Sequence, residues 1–393
     1  MTQIFHVPCS RGLEPFVAQE LTGFGLQGVR VGQGAVRFAG TIRDGLRACL
    51  WSRVGSRVLL QIGRFDATSP ERLYAGLRRI PWVEHIDVRG TIWVDFAGRS
   101  KSIRNAQFGA QKSKDAIVDS LRDATGSRPD VDHEDPDIRV NVHLRHGSVT
   151  VSLDLAGDGL HRRTPNRRMI EAPLRETLAA AILLASEWPR RMNEGLTFYD
   201  PFCGSGTIAI EAMGMATDRA PGLARGSWGF FGWKGFEHRD WAPLLTEAQA
   251  RHAEGIERSK DTVRVVASDI DASAVQVARV NAQAAGVEGI DFQHADALAR
   301  ERPTERPGVL VSNPPYGERL GTPEEIGQFY RSIGDMFRHK LLGWDAYVFV
   351  PADKRARQFG LKPQSRWEMR NANLDCCLLH FPISTVAPQP KST

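Results

Sequence analysis

The spacing of apolar residues over the first part of the chain predicts a small α+β unit. Leu13, Phe16, Val17 and Leu21 recur at helical intervals, and alternating runs flank a Gly-Gln-Gly sequence, as in a hairpin. The predicted elements are a strand at 3–9, a helix ending near Gly23 or Gly25, strands at 28–31 and 35–38, a helix at 41–51 and a strand at 57–62. Their β-α-β-β-α-β order is the ferredoxin-like arrangement.

A second α+β pattern follows in the sequence. Ser69 and Pro70 combine a helix cap with a proline at the first helical position, which predicts a helix running to about Ile80. The other predicted elements are a strand at 91–97, a helix that begins near 102–110 and includes 115–121, and a hairpin of strands 138–144 and 148–155.

From Leu174 onward the pattern changes to longer helices that alternate with short apolar strands. The predicted strands lie at 197–199, 264–267, 289–292, 309–312 and 346–350. The predicted helices between them lie at 205–215, 273–285 and 323–340. This alternation is typical of an α/β fold, with a parallel sheet covered by helices on both faces.

The composition narrows the class of protein. The chain has 393 residues, a net charge of +5 and a pI near 9.0, which permits a nucleic-acid partner without requiring one. Five cysteines without a C-x-x-C pair exclude a disulfide framework and give no zinc-site spacing.

The longest apolar run, at 178–185, is too short to cross a bilayer, and the first residues do not read as a secretory leader. We therefore expect a cytoplasmic protein without a membrane partner or a bound metal.

Two basic segments are candidates for contact with nucleic acid. Five cations fall within sixteen positions, with Phe96 just before them and Phe108 among them: Arg99, Lys101, Arg104, Lys112 and Lys114. This clustering fits a surface that faces phosphates, and a solvated helix face fits it equally well. The second basic segment, at 162–168, leads into the C-terminal half.

A glycine motif follows the first strand of the C-terminal half. Gly204, Gly206 and Ala209 match the dinucleotide fingerprint G-x-G-x-x-A, in which glycines let the backbone approach a ligand at a helix N-terminus. Such a site expects an acid roughly 20 positions on, to hold a ribose. Here the next acid at a strand end, Asp269, follows Gly206 by 63 positions, and Asp200 ahead of the motif is not part of the dinucleotide pattern.

Acidic residues end the next two predicted strands. Asp269 follows an apolar run, and a carboxylate there can accept two hydrogen bonds from ribose hydroxyls. Asp271 is better placed to cap the helix that begins near Ala272. Asp296 could accept a hydrogen bond from an adenine amine, although a surface-loop aspartate is an equally good interpretation.

The sharpest feature of the sequence is Asn313-Pro314-Pro315-Tyr316, directly after a predicted strand. The two prolines restrict the backbone, so that the Pro314 carbonyl keeps a fixed direction. The Asn313 side-chain oxygen is a neutral acceptor, and together the two oxygens can hold both hydrogens of a planar amine. Tyr316 can stack on a base extruded into the pocket.

These motifs resemble those of class I amino-methyltransferases that use S-adenosylmethionine. More narrowly, the chain is similar over nearly its whole length to THUMP-containing RNA guanine-N2 methyltransferases, especially the N-terminal half of bifunctional enzymes that act on large-subunit ribosomal RNA. The narrower likeness rests on the sequences at 155–163, 172–180, 313–321 and 374–376. One departure is Arg163-Thr164-Pro165-Asn166-Arg167, where the family often has Arg-Gly-Tyr-Arg, which affects how this linker would contact RNA.

The resemblance implies a domain order and a set of site residues. It implies a ferredoxin-like domain at 1–64, a THUMP RNA-binding domain at 65–157 and a Rossmann-like class I methyltransferase domain at 158–386, and the composition predicts a flexible tail at 387–393. The implied catalytic residues are Asn313, Pro314, Pro315 and Tyr316. The implied S-adenosylmethionine-binding residues are Asp200, Cys203, Gly204, Ser205, Gly206, Thr207, Asp269, Ile270, Asp296, Ala297 and Asn313.

The implied activity is methylation of a guanosine N2 amine in ribosomal RNA, and several alternatives stay open. A transfer RNA guanine-N2 methyltransferase shares the motifs, a DNA adenine-N6 methyltransferase shares part of them, and a noncatalytic RNA-binding assembly factor could keep the fold. A dehydrogenase is the weakest alternative, because it leaves 313–316 unexplained.

An insertion at 214–261 is rich in aromatic residues and cations. Aromatic rings interleaved with cations could stack on unpaired bases. The sequence favours a second interpretation, in which tryptophans pack first and the insertion forms a lid on the catalytic domain.

Overall fold

The computed structural model describes residues 2–168, 174–316 and 322–385. The predicted tail at 387–393 and the motif residues 172–173 and 317–321 lie outside these ranges. The chain divides into two compact units. The first unit holds the chain up to Cys9, Val17–Leu160 and Arg225–Leu245. The second unit holds Ser10–Phe16, His161–Ala224 and the chain from Thr246 onward.

Eight strands of the first unit form one sheet, in the order β2-β3-β1-β4-β8-β7-β5-β6. The strands are β1 (Gln3–Pro8), β2 (Gln27–Val31), β3 (Ala35–Gly40), β4 (Leu59–Asp66), β5 (Thr91–Gly98), β6 (Asp130–Val131), β7 (Ile138–Arg145) and β8 (Ser148–Asp154). The helices along this part of the chain are α1 (Glu14–Gly23), α2 (Ile42–Trp51), α3 (Pro70–Arg78) and α4 (Ala106–Thr125). The predicted β-α-β-β-α-β order is confirmed, and β4 pairs with β8, so both α+β patterns share the sheet.

Local sequence signals determine where the helices of this unit begin. The Thr41 hydroxyl accepts the Asp44 amide and the Asp44 carboxylate accepts the Thr41 amide, which is a capping box at the start of α2. The Ser69 hydroxyl accepts a hydrogen bond from the Arg72 amide, and Pro70 occupies the first helical position. α3 therefore begins where the sequence predicts.

The second unit contains a seven-stranded sheet in the order β11-β10-β9-β12-β13-β15-β14. The strands are β9 (Thr197–Asp200), β10 (Val265–Asp269), β11 (Ile290–His294), β12 (Gly308–Ser312), β13 (Asp345–Pro351), β14 (Ser365–Asn371) and β15 (Leu374–Pro382). The helices that follow α4 along the chain are α5 (Glu176–Ala185), α6 (Trp188–Arg191), α7 (Thr207–Ala216), α8 (His238–Ser259), α9 (Ala272–Ala284) and α10 (Pro323–Lys340).

The sheet of the second unit is mixed, which corrects the prediction of a parallel sheet. The five predicted strands, β9 to β13, are parallel to one another. β15 adds to β13 in the antiparallel direction, and β14 pairs antiparallel with β15 at the edge. The charged residues that alternate along β14, namely Arg366, Glu368 and Arg370, suit a solvent-facing edge strand and hide its strand character in the sequence.

The strand order reverses between β9 and β12. From β9 the chain moves outward through β10 and β11, and then returns to the other side of β9 with β12 and β13. In open sheets of this kind, ligands bind beyond the carboxyl ends of the strands on either side of such a reversal. Asp200 and Ser312 end the two strands, so the candidate motifs begin at this point.

The aromatic part of the insertion, Arg225–Leu245, belongs to the first unit, which corrects the prediction that the insertion as a whole is a lid on the C-terminal half. Trp228, Phe230, Trp233 and Trp241 are all buried. Trp233 Nε1 donates to His85 Nδ1 at 3.1 Å. Burial was predicted correctly, but the partners come from the N-terminal part of the chain, which spacing along the sequence does not indicate.

Among the described residues, no helix combines the length and the apolar character that a membrane span requires.

Candidate active site

A cavity of about 520 Å³ opens at the carboxyl ends of β9, β10, β11 and β12, within the second unit. The structure brings all but one of the predicted site residues to its wall. The predicted residues that line it are Asp200, Cys203, Gly204, Ser205, Thr207, Asp269, Ile270, Asp296, Ala297, Asn313, Pro314, Pro315 and Tyr316.

Gly206 is the predicted site residue that does not line the cavity. It precedes α7 with a φ of 83°, a conformation that suits glycine. A Cβ atom there would lie 2.9 Å from the Ala278 Cβ on α9. Gly206 therefore allows the turn and close packing between α7 and α9, which brings the rest of the glycine loop to the cavity.

Asp269 connects the ends of β9 and β10. Its Oδ2 accepts the Gly204 amide at 2.9 Å, and its Oδ1 accepts the Asp271 amide at 3.0 Å. Each carboxylate oxygen can accept a further hydrogen bond, so a diol in the cavity has an acceptor pair available. Asp271 accepts the Ser273 amide at 2.8 Å, and its predicted role as the cap of α9 is confirmed.

Asp200 is a carboxyl group that folding removes almost completely from water, with 1% of the residue exposed. Burial raises the pKa of Asp200 to about 7, although hydrogen bonds from the Ser312 hydroxyl and the Phe202 amide favour its charged form. The Asp269 charge adds to this increase in pKa. A cationic ligand group in the cavity would oppose the effects of burial and of the Asp269 charge and, like the two hydrogen bonds, favour the carboxylate.

Asn313 presents a buried acceptor that is not used by any residue in the described ranges. Its Oδ1 is shielded from solvent and has no hydrogen-bond partner among the described residues. Burying an amide oxygen without a partner costs on the order of 1–3 kcal/mol, so such an atom needs an explanation. It lines the cavity together with Pro314 and Tyr316, and a bound N–H donor would satisfy it.

The sequence did not indicate the apolar part of the wall. Leu174, Phe202, Ile208, Ala274, Leu298 and Phe329 also line the cavity. The rings of Phe202 and Phe329 meet edge to face at 5.6 Å. Apolar residues on helices and loops carry no motif, so only the tertiary fold assigns them to a pocket.

Ile270 gives the cavity an exposed apolar edge. The residue is 68% exposed although it is a large aliphatic, and its carbonyl accepts a hydrogen bond from His294 Nε2 at 2.9 Å. His294 therefore supports the backbone of the cavity wall.

The prediction of a nucleic-acid contact at 162–168 is wrong for two of its arginines. Arg163 is buried and pairs with both carboxylate oxygens of Glu211 at 3.0 Å. Arg167 pairs with Glu176 at 2.6 Å and donates to the Thr207 hydroxyl at 2.6 Å. These ion pairs connect the segment at 162–168 to α5 and α7, beside the glycine loop. A run of basic residues in the sequence does not indicate such partners.

The basic stretch at 99–114 presents three exposed cations in the first unit, and its nucleic-acid contact stays a prediction. Arg99, Lys101 and Arg104 are exposed in the segment that follows β5, close in sequence to Phe108, which is 47% exposed. Lys112 lies over the Tyr74 ring, with Nζ 4.7 Å from its centroid.

Three family models match the chain in succession. The model UPF0020, described as RMKL-like, methyltransferase domain, matches residues 163–380. The THUMP domain model matches residues 67–154, and the model of the RlmL ferredoxin-like domain matches residues 5–59. The first of these covers more than half of the chain.

A curated relative from Syntrophotalea carbinolica, named ribosomal RNA large subunit methyltransferase K/L, is 40% identical over 384 residues. The alignment covers 97% of this chain and 53% of the relative. The chain thus spans about half the length of the curated relatives it matches.

Two solved structures are similar over nearly the whole chain. A possible methylase from Clostridium difficile 630 has a TM-score of 0.85 at 28% identity, with 100% of both chains covered. SMU.472, solved in complex with SAH, has a TM-score of 0.84 at 28% identity, with 98% of this chain and 99% of that chain covered.

Proposed function

Since the chain belongs to the RMKL-like methyltransferase domain family, we propose that it methylates the exocyclic N2 amine of a guanosine in large-subunit ribosomal RNA, with S-adenosylmethionine as methyl donor. The name of the 40% identical relative supports the ribosomal substrate. The matched ranges support domain limits at 1–64, 65–157 and 158–386.

The observation that carries this proposal is the buried acceptor of Asn313. An amine donor is the ligand that the unused Oδ1 requires, and the adjoining Pro314 carbonyl can take the second hydrogen of the same amine. Exocyclic amines of nucleobases are planar groups with two such hydrogens, and Tyr316 adds an aromatic face for the base itself.

The residues around the cavity fit S-adenosylmethionine. Asp269 would offer two carboxylate oxygens to the ribose, Asp296 and Ala297 would flank the adenine, and the buried Asp200 and the glycine loop would receive the methionine part. The SAH bound to SMU.472, which is 28% identical over 98% of this chain, supports S-adenosylmethionine as the cofactor. When bound, S-adenosylmethionine supplies an electrophilic methyl group on a sulfonium.

The chain's own residues contribute orientation and electrostatics. Guanine N2 is a poor nucleophile because its lone pair is delocalised into the ring. Asn313 Oδ1 and the Pro314 carbonyl accept from the amine and favour a pyramidal nitrogen whose lone pair points at the methyl group. Tyr316 holds the base plane, and the proton leaves after transfer, so no histidine base is required.

RNA binding is assigned to the THUMP domain and its basic stretch. Arg99, Lys101 and Arg104 are exposed there, and cations of this kind contact phosphates without reading sequence. In the second unit, Arg163 and Arg167 are excluded from this role because their guanidinium groups are held in ion pairs, Arg163 buried and Arg167 partly buried.

The experiment is to incubate the purified protein with labelled S-adenosylmethionine and, separately, deproteinised ribosomal RNA, total transfer RNA and genomic DNA, and then to identify the labelled nucleoside. Labelled N2-methylguanosine in large-subunit RNA is the expected result. The same nucleoside in transfer RNA would keep the chemistry and correct the substrate. Labelled N6-methyladenine in DNA would overturn the proposal.

A further inference from the structure

The turn between β14 and β15 reaches the edge of the sheet at which the cavity opens. β15 pairs with β13 so that Cys376 lies opposite Pro351, the last residue of β13. Since β13 is parallel to β12, whose carboxyl end leads into Asn313, the turn lies at the same edge. Asn371 and Leu374 are the last paired residues of this hairpin.

Asn371 contacts the aromatic residue of the site from this turn. Its Nδ2 donates to the Tyr316 hydroxyl at 3.2 Å, and the pair is partly buried. The two residues are 55 positions apart in sequence, and the contact links the last hairpin of the sheet to the wall of the cavity.

We propose that Asn371 is a positioning residue, which acts on the target base through Tyr316. The Tyr316 backbone follows two prolines and is already restricted, but its ring can still rotate about its side-chain bonds. A hydrogen bond at the far end of the ring limits these rotations and fixes the plane on which a base stacks. This role rests on the proposed function, since it requires an extruded base.

The test is a double-mutant cycle on the single-turnover rate at saturating S-adenosylmethionine. Asn371→Ala and Tyr316→Phe each remove one partner of the contact, and each is expected to lower the rate about three- to tenfold, as for one hydrogen bond. In the Tyr316→Phe background, Asn371→Ala is expected to have no further effect, because the hydroxyl it acts through is gone. An unchanged rate in Asn371→Ala, or an equal loss in both backgrounds, would overturn the proposal.

Asn373→Ala is the matched control, since Asn373 is an exposed asparagine in the same turn. It is expected to keep the wild-type rate. Thermal unfolding and S-adenosylmethionine affinity are measured for all variants, and Asn371→Ala is expected to leave both unchanged. A loss of either in parallel with the rate would indicate a structural role and contradict positioning.

A second measurement separates this proposal from the proposed function. The probe is a short RNA that contains 2-aminopurine, whose fluorescence is quenched when the base stacks. Wild-type protein is expected to quench it more strongly than Asn371→Ala at saturating protein. Equal quenching would overturn the role of Asn371, whereas absence of methyl transfer by the wild-type protein to any nucleic acid would overturn the proposed function instead.

Discussion

Asp200 is a carboxyl group that this fold keeps at an energetic cost. Burial raises its pKa to about 7, so the folded protein binds its proton more tightly than the unfolded chain does. The free energy of unfolding therefore falls as pH rises from about 4 to about 7, and the loss persists above this window. A buried carboxylate that lowers the stability of the fold is explained if it binds a ligand group with a positive charge.

The Asp200→Asn variant is expected to remove this pH dependence. At about pH 8 it should be more stable than wild type by roughly 2 to 4 kcal/mol, and at about pH 4 the two should be similar. Urea denaturation at both pH values measures the difference. Glu20, whose pKa burial also raises to about 7, is present in both proteins and cancels in the comparison.

Lower stability of Asp200→Asn than of wild type at the higher pH would contradict this account of Asp200.

The same variant is expected to bind S-adenosylmethionine more weakly, because a neutral amide no longer attracts the cationic methionine part. Calorimetric titration of the cofactor checks that expectation.

Single residues were predictable where the signal is local. Asp271 was assigned as a helix cap from its position before Ala272, and it accepts the Ser273 amide as expected. Arg163 was misread, because its partner Glu211 lies 48 positions away. The contact of Asn371 with Tyr316 has no local signature at all.

At the scale of elements, the turn into α7 depends on Gly206. Gly206→Ala would place a Cβ atom 2.9 Å from Ala278 Cβ in a backbone conformation with a φ of 83°. We expect a loss of roughly 1 to 3 kcal/mol in the free energy of unfolding and weaker cofactor binding, because the glycine loop shifts. Denaturation and cofactor titration measure the two effects.

Gly226→Ala is the control for that substitution. A Cβ atom at Gly226 meets nothing within 4 Å, and its φ is not in the left-handed region. The control is expected to stay within about 0.5 kcal/mol of wild type. A Gly206→Ala protein as stable as this control would show that packing between α7 and α9 tolerates the methyl group.

Elements with strong periodicity were predicted well, and elements determined by tertiary context were not. Buried apolar runs give a clear signal in β9, β10, β12 and β13. β11, at the edge of the sheet, has one buried residue, Phe292. Charged residues alternate along β14 at the edge of the sheet, so this strand has no continuous apolar run. α8 contains Pro243, and proline is typical of helix ends and not of a helix interior. Neither segment shows its structure in sequence without the neighbours that it packs against.

At the scale of the whole molecule, the chain passes from the second unit into the first at 225–245 and then returns. The sequence predicts that this insertion packs on the C-terminal half, because neighbours in sequence are the default partners. Its tryptophans Trp228, Trp233 and Trp241 are buried, and Trp233 donates to His85 in the N-terminal part of the chain. RNA crosslinks are therefore expected to avoid Trp228, Trp233 and Trp241.

The basic stretch of the THUMP domain is expected to supply phosphate contacts. A triple variant of Arg99→Glu, Lys101→Glu and Arg104→Glu should weaken RNA binding and reduce the slope of log Kd against log salt concentration by about 2 to 3. Arg89→Glu is the control, since Arg89 has 88% of its side chain exposed in the same domain outside the stretch. An unchanged salt dependence in the triple variant would contradict RNA contact at this surface.

The central claim is that the unused acceptor of Asn313 receives the amine of the target base. The most direct test is the single-turnover rate of Asn313→Ala on the RNA that the wild-type protein methylates, with S-adenosylmethionine affinity measured in parallel. A loss of about 100- to 1000-fold in rate with nearly unchanged cofactor affinity is the predicted result. A rate close to that of the wild-type protein would contradict the claim.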